Sequence, residues 1–517
     1  MSLPPLVQAM LQPDFYDHPV TAVELVQTHI SYVFLTGEYA YKVKKPVNFG
    51  FLDFSTLEKR HFFCQEELRL NARLAPDLYL GVSPIYQAGN SYSFAAKGTP
   101  PVEYAVKMRQ FPQENLLINV FAQGKLTYNH VTMIAQQLAQ FHRQAATGEY
   151  INQFGTAQAL AQVANDNYEY TRTYIGRGQT QAQFEATKKF TDEFFQENQK
   201  IFQQRIEGGK IRECHGDLHL KNICLWQDRI QIFDCIEFNE SFRNTDVLYD
   251  VAFLFMDLEF RGRSDLANRF LNIYLEETND YEGLPLFPLF CSLRAYIRAK
   301  VTSFLLDDPS VPGAQKEQAQ REAAAYYKLA HDYTQLGRQK SPLVILMCGL
   351  SGTGKTTVAR ELAGRLGAIH IRSDAVRKHL GGIDLRVRGD SSLYTGEMTH
   401  RTYSRLLELA QLLTGVGFAV ILDAKYDRVE LRQQVQTQLR GVPIKIVHCV
   451  ADWDVMVQRL EQRALEKTDI ADATVDLLAQ QQREFETFLA EEMHQVIPVH
   501  TDNDVDYQRL TAAVLTN

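Results

Sequence analysis

No apolar run in the sequence approaches the roughly 20 residues needed to cross a bilayer, so a membrane-spanning chain is not expected. Met1 to Phe15 lacks a basic stretch followed by an apolar core, which predicts that no secretory leader is present. No CxxC pair occurs among the seven cysteines, Cys64, Cys214, Cys224, Cys235, Cys291, Cys348 and Cys449. Most stand in apolar, strand-like surroundings, which suits buried reduced thiols in a cytoplasmic protein. Positive charge is not in excess either. The formal net charge is −8, which leaves no electrostatic footprint for a long nucleic acid. What is present is a globular composition, 45% apolar and 22% charged. At 517 residues the chain exceeds what one core can organise and predicts two or three domains.

One stretch is the most informative: Gly349-Leu350-Ser351-Gly352-Thr353-Gly354-Lys355-Thr356, continued by Thr357. It follows the apolar run Leu343 to Cys348 and opens a helical pattern reaching Leu366, so strand, glycine-rich loop and helix stand in the order of a phosphate-binding P-loop. The glycines let successive backbone N–H groups turn toward phosphate oxygens, and the helix N-terminus adds its positive dipole end. Lys355 has the reach for β- and γ-phosphates, and the Thr356 hydroxyl is a ligand for Mg²⁺. A nucleoside triphosphate, ATP with Mg²⁺, is the expected cofactor.

Beyond the P-loop, apolar strands alternate with helices: 368–372 with 374–380, 418–422 with 428–439, 444–450 with 453–465, and 495–500 with a last helix. This alternation predicts a parallel sheet covered on both faces, with its site at the carboxyl ends of the strands. Polar groups fall at such ends. Asp374 and Arg377 lie one helical turn apart. Asp423 ends a strand in Walker-B fashion, placed to order Mg²⁺ or its water shell, with Lys425 close behind. Arg459 and Arg463 share one helix face, like charge-stabilising arginines of a closing lid. These residues also have plain structural alternatives, as a helix cap, a turn residue and a solvated face respectively.

In the first half, residues 1–30 read as a short helical lead-in, followed by strand 31–35, turn 36–38 and strand 39–44. A helix over 55–74 and a strand over 103–108 come next. Near position 215 stands Cys214-His215-Gly216-Asp217-Leu218-His219-Leu220-Lys221-Asn222, then a hairpin over 223–232 ending in Phe233-Asp234. His-x-Asp-x-x-x-x-Asn before a strand ending in Asp is the catalytic spacing of a kinase-type phosphotransferase. Asp217 would orient or accept the acceptor proton, Asn222 and Asp234 would hold Mg²⁺, and His215 would brace the loop. Downstream, Arg243, Asp246, Asp250, Asp257 and Glu259 either line an acceptor site or support the fold.

On these residues, 31–330 resemble the aminoglycoside phosphotransferase family, with its protein-kinase-like fold. The resemblance implies that Lys42 contacts the α- and β-phosphates and that Glu67 pairs with it. Lys44 on the same strand face and the adjacent Glu66 leave both assignments open. Gly37 is the only glycine in the expected phosphate-covering turn, and Asp234-Cys235-Ile236 stands where protein kinases carry Asp-Phe-Gly. Residues 340–517 resemble the small P-loop kinases, the group of gluconate kinase, polynucleotide kinase and zeta-toxin-like enzymes. That resemblance implies that Asp374 activates an acceptor hydroxyl, that Arg377 holds substrate or phosphate, and that Thr468 to Ala473 is the lid region that follows. The whole chain resembles bacterial fusions of the two.

The sequence therefore predicts an α+β kinase-like domain over 1–338 and an α/β P-loop domain over 339–517, divided near Gly337 to Pro342. The expected activity is bifunctional, ATP-dependent phosphoryl transfer to hydroxyls of small molecules. Two alternatives stand beside it: a nucleotide-sensing first domain that regulates a catalytic second, and a polynucleotide 5′-kinase in the second half.

Overall fold

A computed structural model describes residues 3–95, 98–335, 342–466 and 470–516. The expected boundary residues Gly337 to Ser341, and Thr468 and Asp469 of the expected lid region, lie outside the described residues. The chain divides into two compact units. The first comprises residues 1–130, 140–165 and 195–257, and the second 131–139, 166–194 and 258–517.

The first unit is built on a six-stranded antiparallel sheet of order β1-β2-β3-β6-β4-β5. Its strands are β1 (Glu24–Gln27), β2 (Ser31–Leu35), β3 (Tyr39–Lys44), β4 (Tyr79–Ala88), β5 (Ser91–Ser93) and β6 (Pro101–Arg109). Alternation along β3 sends Tyr41 and Val43 into an apolar cluster with Phe34, Ile85 and Ala105, and Lys42 and Lys44 to the opposite face. The helix Leu57–Asn71 starts at Thr56, whose hydroxyl accepts from Lys59 N at 3.3 Å. It carries Glu67 toward the two lysines.

The lead-in is only partly helical. Pro5–Met10 is a helix, but Glu24–Gln27 forms edge strand β1, whose exposed residues carry no apolar alternation to announce it. β4 was equally unannounced: Gly81 and Pro84 interrupt its pattern, and the ladder is irregular between Tyr79 and Gly81. Past the sheet, β7 (Ile211–Glu213) pairs with β10 (Asn244–Asp246), and the expected hairpin forms from β8 (Ile223–Trp226) and β9 (Arg229–Ile232). Gln227 and Asp228, both at positive φ, make its tight turn.

In the second unit five strands form a wholly parallel sheet of order β12-β13-β11-β14-β15. They are β11 (Val344–Cys348), β12 (Ile369–Arg372), β13 (Val420–Asp423), β14 (Ile444–Val450) and β15 (Val496–His500). β11 is buried along its full length, as a central strand covered on both faces requires. The helices Lys355–Leu366, Ser373–Leu380, Val429–Gln438 and Trp453–Glu466 fall where the alternation placed them. Gly396–Gly415 is a further helix, capped by Thr395 accepting from Met398 N, that the strand–helix alternation passed over. The unit also holds helices Ser264–Thr278, Phe287–Phe304 and Gly313–Tyr333. Among the described residues, no helix is long and apolar enough to cross a membrane, and all seven cysteines are buried and unbridged.

Candidate functional site

In the first unit, the catalytic-spacing loop runs from β7 to β8. His215 is fully buried, and its burial pushes the imidazole below the usual histidine range, so it is neutral. Nε2 donates to Phe233 O at 2.9 Å, and Nδ1 accepts from Asp217 N at 3.3 Å. The ring braces the loop, as its position suggested. Gly216 is at φ +89°, and a Cβ there would stand 2.8 Å from Phe242 O, so only glycine fits. The Asp250 carboxylate, also fully buried, accepts from His215 N at 3.0 Å and Gly216 N at 2.8 Å. Asp257 accepts from Leu220 N at 3.0 Å, and Asp246 pairs with Arg205 at 2.7 Å. These three carboxylates support the loop and its surroundings.

Asp217 keeps a third of its side chain exposed. Its Oδ2 accepts from Asn222 Nδ2 at 3.0 Å and lies 3.3 Å from His219 Nε2. Asn222 Nδ2 also donates to Asp217 O at 3.0 Å, leaving Oδ1 as that amide's acceptor. Asp234 sits in the left-handed region at φ +63°, with Tyr79 OH accepting from its N–H at 3.3 Å. A non-glycine residue held there marks a position fixed by its surroundings.

The two lysines differ in their surroundings. Lys42 Nζ lies 2.7 Å from Asp234 Oδ1 and 2.8 Å from Glu67 Oε1. Lys44 Nζ takes Glu67 Oε2 at 2.7 Å and Glu237, and is wholly buried, whereas Lys42 is 12% exposed. Burial opposes the charge on both lysines. Asp234 and Glu67 hold Lys42 protonated well above the usual lysine range, and Glu237 and Glu67 do the same for Lys44. Burial would raise the Glu67 carboxyl, but the two lysines hold it down at about 2. Glu237 was not foreseen; nothing in its local sequence marks it.

In the second unit, the P-loop encloses one side of a cleft of about 1470 Å³. Gly349 (φ +136°) and Gly352 (φ +82°) cannot carry a side chain: a Cβ would stand 2.3 Å from Cys449 O and 2.8 Å from Met456 O. Gly354 (φ +76°) precedes the helix whose first residue is Lys355. The half-buried Lys355 donates from Nζ to Leu350 O at 2.8 Å, and desolvation draws its ammonium below the usual lysine range. Thr353 is buried and bonds Leu350 O, so it shapes the loop from behind. Ser351, Thr356 and Thr357 line the cleft; Gly349 and Thr353 do not.

Asp374 and Arg377 on the helix Ser373–Leu380, Asp423 at the end of β13, and Arg459 and Arg463 on the helix Trp453–Glu466 all line this cleft. Arg377 donates to Leu393 O at 2.8 Å and lies over the Tyr394 ring. Arg459 donates to Gly352 O at 3.2 Å and Thr501 Oγ1 at 3.0 Å, which fastens it to the loop itself. Arg463 donates to Ala473 O at 3.3 Å. Burial would raise the Asp423 carboxyl; the His370 hydrogen bond, with Arg372 and Lys355 charges nearby, holds it at about 2. The sequence reading missed His370 and Thr501, and also Gln481, which accepts from Ser351 N at 3.0 Å. Asp472, within the expected lid region, accepts from Tyr394 OH at 2.7 Å and Gly389 N at 3.0 Å. Each acts across a long sequence separation, where spacing carries no signal.

Comparison with known proteins adds the family. Residues 108–287 match the Phosphotransferase enzyme family, and residues 344–488 match the AAA domain family. Over 479 residues the chain is 31% identical to uncharacterized proteins of Mycobacterium tuberculosis and Mycobacterium bovis, spanning 91% of this chain and 93% of each of theirs. The chain belongs to their family. This chain is thus a fusion of an aminoglycoside phosphotransferase-like domain with a P-loop kinase-like domain, as the motifs implied.

Solved structures similar to parts of this family member include a choline/ethanolamine kinase family protein from Mesorhizobium loti. It is 10% identical, covers 64% of this chain and 97% of its own, and has a TM-score of 0.36. A gluconokinase from Sinorhizobium meliloti is 19% identical, covers 34% and 91%, and scores 0.25. An APS kinase of Mycobacterium tuberculosis, in complex with AMPPNP and APS, is 17% identical, covers 34% and 99%, and scores 0.26.

Proposed function

We propose that the protein is a bifunctional ATP-dependent phosphotransferase, each domain moving the γ-phosphoryl group of ATP to a hydroxyl of a small molecule. The observation that carries this reading is that each unit gathers its own lysine, acceptor-side carboxylate and metal-side oxygen donors from sequence-distant elements. The functional division falls near residue 338. Buried unbridged cysteines suit a cytoplasmic location.

The donor chemistry fits Mg²⁺, a hard cation that takes oxygen ligands. Asn222 and Asp234 would hold it in the first domain, and Thr356 and Asp423 in the second. The ion supplies charge neutralisation on the β- and γ-phosphates. The remaining work falls to side chains. Asp217 orients the acceptor hydroxyl and takes its proton in the first site, and Asp374 does so in the second. Lys42, held by Glu67, and Lys355, at its helix N-terminus, draw the phosphates into line. Arg377 positions the acceptor, while Arg459 and Arg463 stabilise charge developing on the transferred group.

A second reading is favoured by one contact. Gly37, the only glycine of the β2–β3 turn, donates its N–H to Gln110 Oε1 at 2.8 Å, which commits it within the protein. Under that reading the first domain senses a nucleotide and regulates the second. Equilibrium binding of a fluorescent ATP analogue tests the shared premise. Two sites per chain are expected, with one lost in Lys355→Ala and the other in Lys42→Met. A single site unaffected by either change would contradict both readings.

A further inference from the structure

β12 is an edge strand, paired only with β13, so the outward peptide groups of residues 368 and 370 need partners from elsewhere. Two buried asparagines supply them. Asn268 and Asn272 stand four residues apart on the helix Ser264–Thr278, hence on one face. Ala368 O accepts from Asn268 Nδ2 at 2.9 Å and from Asn272 Nδ2 at 3.0 Å. His370 N donates to Asn272 Oδ1 at 2.8 Å, and Asn272 Nδ2 donates to Asn268 Oδ1 at 2.9 Å, which fixes both amide orientations. The pair imitates the missing neighbouring strand and clamps the backbone on either side of Ile369.

The clamped backbone bears the His370 ring, which is also buried. His370 and Asp423 lie diagonally across β12 and β13, since Arg372 is the residue directly opposite Asp423. His370 Nε2 lies 3.1 Å from Asp423 Oδ2. A carboxylate accepts only, so the ring donates from Nε2 and anchors one oxygen of Asp423, a residue that lines the cleft.

We propose that His370 is a positioning residue of the P-loop site, with Asn272 and Asn268 as its backbone support. It anchors Asp423 Oδ2 so that Oδ1 meets the Mg²⁺–nucleotide complex in one fixed orientation. The inference rests on the reading of Asp423 as a metal-side carboxylate. Arg372, opposite Asp423 and 3.5 Å from Glu276 Oε1, adds charge nearby, but the hydrogen bond from His370 sets the direction of the carboxylate.

Glutamine and asparagine at position 370 separate this role from simple packing. A glutamine side chain carries its amide nitrogen to the place of Nε2, whereas asparagine stops one bond short. The test is the affinity of the full chain for a fluorescent ATP analogue with and without Mg²⁺, counting only signal abolished by Lys355→Ala. His370→Gln should stay within about threefold of wild type. His370→Asn and His370→Leu should weaken Mg²⁺-dependent binding by about tenfold or more, as loss of an outer partner of a metal ligand does. Binding without Mg²⁺ should hold within about threefold in all variants, because the loop and Lys355 are untouched. Should His370→Leu melt below the assay temperature, the Gln and Asn pair still decides. Full Mg²⁺ enhancement in His370→Asn, or equal loss with and without Mg²⁺, overturns the proposal. Absence of any Mg²⁺ enhancement in the wild type would instead overturn the reading of Asp423.

Discussion

Gly349 is a position where a methyl group has nowhere to go, since it would stand 2.3 Å from a backbone carbonyl at a φ that favours glycine. Gly349→Ala should therefore reshape the loop, lower the melting temperature and cost nucleotide affinity at the second site while sparing the first. The two lysines of β3 make a second residue-scale contrast. Lys42 bridges Glu67 and Asp234, whereas Lys44 is enclosed between Glu67 and Glu237. Lys42→Met is expected to reduce turnover at the first site about 100-fold, as loss of a preorganised charge contact does, with little change in stability. Lys44→Met should leave Glu237 buried without its partner and cost about 3–5 kcal/mol of stability. Denaturant titrations beside kinetics distinguish these outcomes, and a stability loss confined to Lys42→Met would contradict the assignment.

At the scale of elements, Glu213 at the end of β7 joins the helix Leu57–Asn71 to the strand pair β7–β10. It takes Arg69 at 2.8 Å, Arg73 at 3.0 Å and Arg243 at 3.2 Å. Burial would raise this carboxyl, but the arginines hold it down at about 2, against 4.5 for an ordinary glutamate. Because the folded value is depressed, its stabilisation is complete above 4.5 and is lost as the pH falls toward 2. Glu213→Gln should lower stability at neutral pH by about 3 kcal/mol and flatten the loss between those two values. A variant with unchanged acid sensitivity would show that other carboxylates dominate. The elements themselves were unevenly legible. β11, β13 and β14 were plain from their apolar runs, and the helix Leu57–Asn71 falls within the expected 55–74. β1 and β4 were hidden, one by exposure and the other by Gly81 and Pro84. The helix Gly396–Gly415 was missed although Tyr403, Leu406, Leu407 and Ala410 repeat at helical spacing behind Thr395.

For the whole molecule, chemistry written in one continuous stretch was readable and chemistry assembled across the chain was not. Both the P-loop and the His215 to Asp234 segment place their residues at spacings that the reaction itself demands. His370, Gln481, Thr501 and Glu237 come into contact with their partners only when distant segments meet, and the difference between Lys42 and Lys44 lies in the positions of Asp234 and Glu237. The asparagine clamp on β12 likewise predicts that a chain beginning at residue 339 will melt lower than one beginning at residue 258, because Ala368 O and His370 N lose their partners. Equal melting temperatures would contradict that.

The central claim is two independent phosphotransfer sites. It is tested most directly with γ-labelled ATP and a cell metabolite extract, comparing wild type, Asp217→Asn and Lys355→Ala. Two sets of labelled products are expected, one lost in each variant. Label found only in free phosphate, and stopped only by Lys355→Ala, would contradict the claim and leave the first domain as a sensor.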